Sequence, residues 1–389
     1  MRVFFLWPYP VQYVRDFYRR HPQAAALGFE AQRRLLLDDH FGWAGDLSRH
    51  MAATGFETEF VVSNAAPLQA AWAREQGFAP PAADAERAIA LEQIRRWRPD
   101  VVWVTSRFDY FGEFTRAIRR CVRRVLAWVG EPWPTPPDLG GISALITENP
   151  ATFREAHGQL ERVIVTKPGF SPDVLRQLGP AARRPEVVFV GQIHGVHRRR
   201  AALLARALEA GLPLAIHGFT AEDDLPTRRQ GARLALWQIV RRRAPRAAAH
   251  TLRRAWFPSA YDRHVERIRR VLRPPVFGME LYRRLAEARL VLNVHGDIAG
   301  RHAGNMRMFE ATGVGSCLVT EQADNLASLF EPGREAAVYR EDHELVPLLE
   351  RLLAAPEEAE RIGRRGQERT LRDHTPARML DDIRPALEG

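Results

Sequence analysis

The order of apolar and polar positions along the chain predicts alternating strands and helices. Short apolar runs without polar alternation are typical of strands buried on both faces of a parallel sheet. In the first half of the chain this pattern predicts strands at Arg2–Leu6, Glu57–Val62, Asp100–Val104, Val125–Val129, Ala144–Thr147 and Val163–Thr166.

Segments with helical periodicity separate these strands. Between Asp39 and Thr54 apolar residues recur at helical spacing, and Gly55 is a typical stop before the next strand. The segment Glu86–Arg98 repeats the step from helix to strand. We therefore expect residues 1–167 to form a first domain around a doubly wound parallel sheet.

A second series of strands and helices follows a segment rich in proline and glycine. That segment, residues 168–185, predicts an interdomain linker. Residues 186–372 are expected to form the second domain, and residues 373–389 a C-terminal helix that packs back on the first. Its strands are predicted at Glu186–Val190, Leu214–His217, Leu290–His295, Ser316–Thr320 and Ala336–Tyr339. The predicted fold class is therefore α/β, with two Rossmann-like domains.

Residues 225–261 interrupt this pattern as a basic, amphipathic insertion in the second domain. The segment contains no acidic residue, and its many arginines alternate with leucine, tryptophan and other apolar residues. One interpretation is a pair of arginine-coated helices packed on the domain. The other is peripheral contact with an anionic membrane or an anionic acceptor.

Composition narrows the class of protein. The formal charge is +10, but Lys167 is the only lysine and the remaining positive charge is arginine, as in GC-rich coding bias, so charge alone does not indicate nucleic-acid binding. Cys121 and Cys317 lie far apart and outside any metal-binding spacing. No apolar run approaches the roughly 20 residues of a membrane span. We expect a cytoplasmic protein, with the insertion allowing peripheral contact at the inner membrane face.

The most informative stretch runs from the strand ending at His295 through a glycine-containing loop to a helix predicted to start near Gly304 or Asn305. Ligands of open α/β sheets bind beyond the carboxyl ends of the strands, and a helix N-terminus offers free N–H groups to phosphate. Within the helix, Arg307 and Glu310 share a face. They are candidates for phosphate and ribose contacts, or for a local ion pair.

A second candidate loop follows the strand that ends near Gly191. Glycine at a strand end permits close approach of a ligand. Arg198, Arg199 and Arg200 open the next helix, where an arginine can neutralise the charge of a departing diphosphate. We expect at least one of the three to face the cleft, and we take Arg198 and Arg199 as the candidates for contact with the diphosphate.

The order of motifs from Val187 onward resembles the CgeB-like glycosyltransferases, which are related to glycosyltransferase family 4 and have the GT-B fold. The motifs are Phe-Val-Gly at 189–191, the arginine-rich helix start, Leu-Asn-Val-His at 292–295, Arg-Met-Phe-Glu-Ala-Thr-Gly-Val-Gly at 307–315 and Thr-Glu at 320–321. The tail, with Asp-His-Thr at 373–375, follows the same pattern. The first domain matches more loosely.

The resemblance implies that the second domain binds a nucleotide-diphosphate sugar. Glu310 would then bind the ribose, Arg307 and an arginine of the 198–200 segment the diphosphate, and Asn305 with Gly304 would supply helix-start donors. His302 stands where family 4 has a glutamate that contacts the sugar, so the identity of the sugar stays open.

The resemblance also implies retention at the anomeric carbon. Arginine and helix-start donors would take the place of a metal ion. No Asp-x-Asp motif lies in a strand-end loop, so neither metal nor cofactor is expected.

The acceptor should lie against the first domain, and its class stays open among a glycan, a lipid-linked glycan, a protein and a small molecule. His40, Asp109 and Glu131 are the candidates for proton handling or orientation, because each lies near a predicted strand end or helix start. Two other classes compete with an enzyme. One is an inactive structural or assembly protein that keeps the fold, and the other is a basic nucleic-acid binder, which has no recognisable motif here.

Overall fold

The computed structural model describes residues 1–105, 107–130, 133, 137–160, 162–195, 197–220, 227–241, 243–297 and 300–388. The described chain contains two six-stranded sheets, and every strand pair in both is parallel. The predicted α/β class with two parallel-sheet domains is confirmed.

The first sheet has the strand order β2-β1-β3-β4-β5-β6. Its strands are β1 (Arg2–Leu6), β2 (Glu57–Val61), β3 (Val101–Val104), β4 (Arg124–Val129), β5 (Ala144–Thr147) and β6 (Val163–Val165). The helices of this half are α1 (Val11–Arg20), α2 (Phe29–Asp38), α3 (Ala44–Ala53), α4 (Ala66–Glu75), α5 (Ala85–Trp97), α6 (Glu113–Arg119) and α7 (Pro150–His157). β3 and β5 are buried at every position, as expected for strands covered on both faces.

The second sheet has the strand order β12-β11-β10-β7-β8-β9. Its strands are β7 (Arg184–Ile193), β8 (Leu214–Thr220), β9 (Leu272–Arg273), β10 (Ala288–Leu292), β11 (Cys317–Glu321) and β12 (Ala337–Tyr339). Its helices are α8 (Asp173–Leu178), α9 (Arg198–Glu209), α10 (Arg228–Val240), α11 (Pro245–Trp256), α12 (Ala260–Arg269), α13 (Gly278–Glu287), α14 (Met306–Gly313), α15 (Leu326–Leu329), α16 (Leu345–Ala354), α17 (Pro356–Asp373) and α18 (Pro376–Glu388).

Each sheet reverses its winding direction once, and these reversals position the candidate site. In the second sheet the chain winds outward from β7 through β8 to β9, then returns to the other side of β7 and continues through β10. The reversal therefore lies between β7 and β10. Loops that leave neighbouring strands in opposite directions open a crevice at this point, which is where α/β sheets bind ligands.

The helix predicted between Asp39 and Thr54 is wrong at its start. α3 begins only at Ala44, because His40 has a φ of 50° and Gly42 a φ of 72°, and neither conformation continues a right-handed helix. The two-residue strand β9 was not predicted, since so short a run leaves no period in the sequence.

The C-terminal helix α18 packs back on the first domain, as predicted. Leu380 and Ile383 of this helix are buried in the core of the first domain. Thr166 donates a hydrogen bond of 2.6 Å to Asp382. The segment that contains Gly169 crosses the segment that precedes α18. A Cβ atom on Gly169 would lie 2.5 Å from the carbonyl carbon of Thr375, so this position requires glycine. Among the described helices none is long and apolar enough to cross a membrane.

Candidate functional site

On the side of β7 away from the crevice between β7 and β10, β7 and β8 approach so closely that one position tolerates no side chain. Gly191 at the end of β7 pairs with Gly218 on β8. A Cβ atom on Gly218 would lie 2.0 Å from the carbonyl oxygen of Gly191. Position 218 therefore requires glycine, and both glycines line the pocket described below.

Arg200 ties the two sides of this crevice together. Its guanidinium donates hydrogen bonds to the carbonyl oxygens of Gln192, at 2.7 Å, and Val294, at 2.9 Å. Burial lowers the pKa of Arg200 to about 10, and the charge of Asp297 only partly opposes this shift. Within the described chain no carboxylate lies within salt-bridge distance of Arg200. The crevice thus holds a half-buried cation that is paired with no carboxylate of the described residues.

The helix α14 begins at the same crevice. Asn305 precedes its first turn, and its side-chain amide donates to Asn293 at 2.7 Å, while Asn293 donates to Thr320 at 3.2 Å. No side chain caps the helix start. The amide pair fixes the entry of the helix and leaves the N–H groups of its first turn available to a ligand.

His295 lies behind this helix start as a buried, neutral ring. Burial lowers its pKa to about 4, and the charges of Arg200 and Arg199 act in the same direction. Its backbone N–H donates to Glu321 at 2.6 Å. His295 therefore supports the loop, and its ring contributes no positive charge near neutral pH.

Arg307 and Glu310 form an ion pair on the face of α14 that borders the cleft. The Arg307 Nη1 atom lies 2.6 Å from Glu310 Oε2, and only 6% of the Glu310 side chain is exposed. Burial raises the pKa of Glu310 above 4.5, whereas the Arg307 charge opposes that shift. The Arg307 Nε atom is buried without a hydrogen-bond partner. The local ion pair that the sequence suggested is thus present, and the Arg307 Nε–H group can still donate a hydrogen bond to a ligand.

Both domains line the pocket beside this pair, which has a volume of about 260 Å³. From the second domain it is lined by Gly191, Gly218, Met306, Arg307 and Glu310, among others. From the first domain the lining residues are Pro10, Gln12, Phe41 and Gly42. A ligand bound to the second domain here would face the first.

The interface below the pocket fixes the two domains against each other. Asp39 accepts a hydrogen bond of 3.3 Å from the backbone N–H of Met279, and it forms an ion pair with Arg20 at 2.7 Å. Gly278 has a φ of 55°, and a Cβ atom there would lie 2.2 Å from an Asp39 oxygen. The close approach of the two domains therefore depends on glycine at this position.

Arg198 and Arg199, the two arginines that the sequence suggested for the diphosphate site, contact other groups in the structure. Arg199 forms ion pairs with Glu321 and with Asp342, the latter at 2.7 Å. Arg198 lies over the ring of Tyr261, 5.7 Å from its centre, on the side of the insertion. Arg200 is the arginine of this segment that reaches the crevice. Arg200 lies four and seven positions before Leu204 and Ala207, so it shares the buried face of α9. This spacing in the sequence could have identified Arg200 as the arginine that faces the crevice.

His302 contacts the lone lysine of the chain. Its Nε2 atom lies 3.1 Å from the Lys167 amine and 3.3 Å from the Asn325 amide. Lys167 also donates to the backbone carbonyl of Glu148 at 3.2 Å, and burial raises the pKa of the Glu148 carboxyl. A Cβ atom on Gly304 would lie 3.1 Å from Lys167 Nζ and 3.3 Å from Glu148 Oε2. Sequence reasoning missed Lys167 and Glu148, although a single lysine among so many arginines is a signal.

The three first-domain candidates have different surroundings. His40 is buried, and its Nδ1 atom lies 2.6 Å from Asp46, a geometry that orients an imidazole. Its neighbours Phe41 and Gly42 line the cleft pocket. Asp109 lies in an exposed network with Arg107, at 2.9 Å, and with Arg87, at 3.4 Å. Glu131 lies outside the described residues.

Carboxylates of both domains influence one buried hydroxyl between them. The pKa of Tyr282 is raised well above its usual 10, first by burial and then by the charges of Glu310 and Asp46. Phe41 and Gly42, which follow His40, line the same pocket as Arg307 and Glu310, so the His40 and Asp46 pair lies on the side of the first domain that faces the α14 ion pair. Among the described residues no group of three His, Cys, Asp or Glu side chains is arranged to hold a metal ion.

Comparison with known proteins supports a class for this arrangement. Residues 198–384 match the model of a family described as glycosyl transferase-like. AviGT4, a glycosyltransferase involved in avilamycin A biosynthesis, is 16% identical, with 100% of this chain and 98% of that chain covered, at a TM-score of 0.55. HepE from Anabaena, in complex with UDP-glucose, is 12% identical, with 100% and 99% covered, at a TM-score of 0.53.

Coverage of another structure is partial. TarM is 10% identical, with 78% of this chain but 59% of that chain covered, at a TM-score of 0.47. No curated protein sequence matches the chain. The fold is that of the GT-B glycosyltransferases, and the match to the glycosyl transferase-like family model covers slightly less than half of the chain.

Proposed function

We propose that the protein is a CgeB-like glycosyltransferase, related to family 4, that takes a nucleotide-diphosphate sugar as its donor. One observation carries this proposal: the start of α14, its Arg307 and Glu310 pair and Arg200, which has no ion-pair partner among the described residues, converge at the winding reversal of the second sheet. An anionic ligand with a hydroxyl-bearing ring fits that set of groups.

The diphosphate would bind at the start of α14. The uncapped N–H groups there carry a partial positive charge, and Arg200 adds a full one. HepE, which shares the fold, is named in complex with UDP-glucose, so UDP is the first nucleotide to test.

Glu310 would accept hydrogen bonds from the ribose hydroxyls. This role requires the ionised carboxylate, and the neighbouring Arg307 favours that form against the effect of burial. The paired arrangement explains how a carboxylate can stay charged beside a diphosphate.

Transfer would proceed by electrostatic stabilisation of the leaving group. The bond from the anomeric carbon to the phosphate oxygen breaks, and its electron pair stays on the nucleoside diphosphate. The acceptor oxygen takes its place at the anomeric carbon, and the proton of the acceptor hydroxyl passes to the leaving diphosphate. Donors that strengthen their contacts as this charge develops lower the barrier, which is work that Arg200 and the helix start can do without a metal ion. From the family resemblance we propose that the anomeric configuration is retained.

The acceptor would lie on the first-domain side of the pocket, beside Phe41 and Gly42. We assign the neighbouring His40, oriented by Asp46, to positioning the acceptor hydroxyl. His302 and Lys167, which contact each other near Gly304, are assigned to the sugar side of the donor.

Calorimetry with UDP, GDP, dTDP and ADP tests the proposal. We expect one diphosphate to bind, and Glu310→Ala or Arg307→Ala to abolish that binding without unfolding the protein. The matched control is Arg334→Ala, which removes the arginine of an exposed ion pair with Glu331 of the same sequence spacing and a similar distance, 2.9 Å. If none of the four binds, or if the control loses as much affinity, the donor site is wrong.

Turnover of the matching nucleotide sugar in excess chelator tests the metal-independent mechanism. We expect full activity, and NMR of the product should show the donor's anomeric configuration. Diphosphate binding without transfer or hydrolysis of any nucleotide sugar would instead indicate an inactive assembly protein.

A further inference from the structure

The insertion forms a helical hairpin that buries its small residues. The hairpin consists of α10 and α11, and the buried residues between them are Gly231, Ala235, Ala248 and Thr251. A Cβ atom on Gly231 would lie 2.5 Å from the Cβ atom of Ala255. The two helices therefore approach closely through residues with little side chain.

The large apolar residues of the hairpin point outward. In the described chain twelve large hydrophobic side chains are exposed, and eight of these lie between residues 234 and 257. Phe257 is 77% exposed, and Leu236 and Val240 are each 64% exposed. The full set is Leu234, Leu236, Trp237, Ile239, Val240, Leu252, Trp256 and Phe257.

This arrangement is the reverse of a hairpin stabilised in water. In water, large apolar side chains would be expected between the helices, since their burial supplies most of the stability of a helix pair. Helices in an apolar medium instead pack through glycine, alanine and threonine and leave large side chains facing that medium. The outer face of the hairpin is therefore built to contact something apolar.

Charge identifies the kind of partner. Arg229, Arg233, Leu236 and Val240 follow one another at spacings of four, three and four, so they share the face of α10 opposite α11. All four are exposed, and the sequence from 225 to 261 contains no acidic residue. Exposed arginines beside exposed apolar side chains complement anionic headgroups above acyl chains. A second copy of the same face would bring like charges together.

A basic pocket of about 440 Å³ lies at the base of the hairpin. It is lined by Arg198, Arg253, Arg254 and His250, and by one carboxylate, Asp262, which pairs with Arg254 at 3.0 Å. This pocket also contains Arg198, one of the two arginines expected at the donor site. Its charge extends the basic surface from the hairpin toward the loop that precedes α9.

We propose that this hairpin docks the protein on the surface of an anionic membrane. Leu236 and Val240 enter the acyl boundary, and Arg229 and Arg233 of the same face contact lipid phosphates. The hairpin lies on the bilayer and does not span it, because its helices have 13 and 12 residues, whereas a span requires about 20. This inference is independent of the donor bound in the cleft.

Vesicle flotation with the full chain tests the proposal. We expect binding to vesicles of phosphatidylcholine mixed with phosphatidylglycerol, weaker binding at high salt, and little binding to phosphatidylcholine alone. Each arginine near such a surface contributes about fivefold to the partition coefficient, so the double variant Arg229→Gln, Arg233→Gln should lose about 25-fold. The double variant Leu236→Glu, Val240→Glu should not float at all.

The matched control is Val271→Glu, which places a charge at an exposed apolar residue outside the hairpin, and it should float like the wild type. Circular dichroism should show the same helix content in all variants, because the substituted side chains are exposed. The proposal is overturned if the wild type floats with neither vesicle, or if the control loses as much binding as the hairpin variants. It is also overturned if size exclusion shows a dimer that only the hairpin variants dissolve, without vesicle binding, because a second copy then covers this face.

Discussion

Replacing Arg200 with methionine should separate anion binding from the stability of the fold. In the described structure the guanidinium is half-buried and donates to two backbone carbonyls, with no carboxylate close enough to neutralise it. Buried charges are normally paired, because desolvation of an isolated ion is costly. A diphosphate entering the crevice would supply the missing countercharge.

The magnitude follows from the pKa of Arg200. A pKa lowered from 12.5 to about 10 means that the charged form is disfavoured by about 3 kcal/mol. Arg200→Met removes this cost together with two charge-assisted hydrogen bonds worth roughly 1.5–3 kcal/mol each. We therefore expect the free energy of unfolding to fall by no more than about 3 kcal/mol. Loss of the contact with diphosphate should weaken binding by about 3 kcal/mol, on the order of a hundredfold.

The assay compares Arg200→Met with Arg199→Met in two measurements, urea unfolding and calorimetry with UDP. Arg199 neutralises Glu321, whose side chain is only 8% exposed. Its loss should destabilise the fold by about 2 kcal/mol, below the 3–5 kcal/mol of a fully buried pair because Arg199 is 38% exposed. Arg199→Met should lower UDP affinity less than Arg200→Met does. UDP affinity unchanged in Arg200→Met, with the wild type binding normally, would refute the reasoning.

Three further changes address the charge, space and packing on which the site depends. Glu310→Gln should flatten the pH dependence of donor binding, which calorimetry across the acidic range measures. In the wild type, donor affinity should fall as pH drops through the pKa of this carboxyl, which is raised above 4.5, because the ribose contact needs the ionised form. Gly304→Ala should weaken donor binding and lower Tm by an amount equivalent to about 1–3 kcal/mol, because the added Cβ would crowd Lys167 and Glu148. Ile383→Ala should destabilise the protein by about 2–5 kcal/mol in urea unfolding, since this fully buried side chain of α18 fills the core of the first domain.

The same chain offers controls for two of these changes, Gly304→Ala and Ile383→Ala. A Cβ atom on Gly158 meets no atom within 4 Å, and its φ is −84°, so Gly158→Ala should leave Tm unchanged or slightly raised. Arg384→Ala alters an exposed residue of α18 and should cost little. An unchanged acid profile in Glu310→Gln, or equal losses in Gly158→Ala and Gly304→Ala, would contradict the corresponding prediction.

The sequence by itself determined the architecture and the elements that carry the site. Eleven of the twelve strands were predicted within two or three residues at either end, because strands buried on both faces appear as continuous apolar runs. The strand, loop and helix sequence ending at Asn305 was equally visible, since helix starts and strand ends follow local rules. The paired spacing of Arg307 and Glu310 likewise depends only on helix geometry.

Only the tertiary structure decided which charged groups meet in the crevice. Arg198, Arg199 and Arg200 are adjacent in sequence, but helix geometry turns each by about 100° from the next. One of them therefore lies over Tyr261, one is held by Glu321, and one reaches the loops after β7 and β10. The meeting of Lys167 with His302 joins residues 135 positions apart, and no local pattern encodes such a distance. The direction of each face of the hairpin was also left open by sequence, because its small and large apolar residues are mixed along both helices, and helix packing alone places the small ones inside.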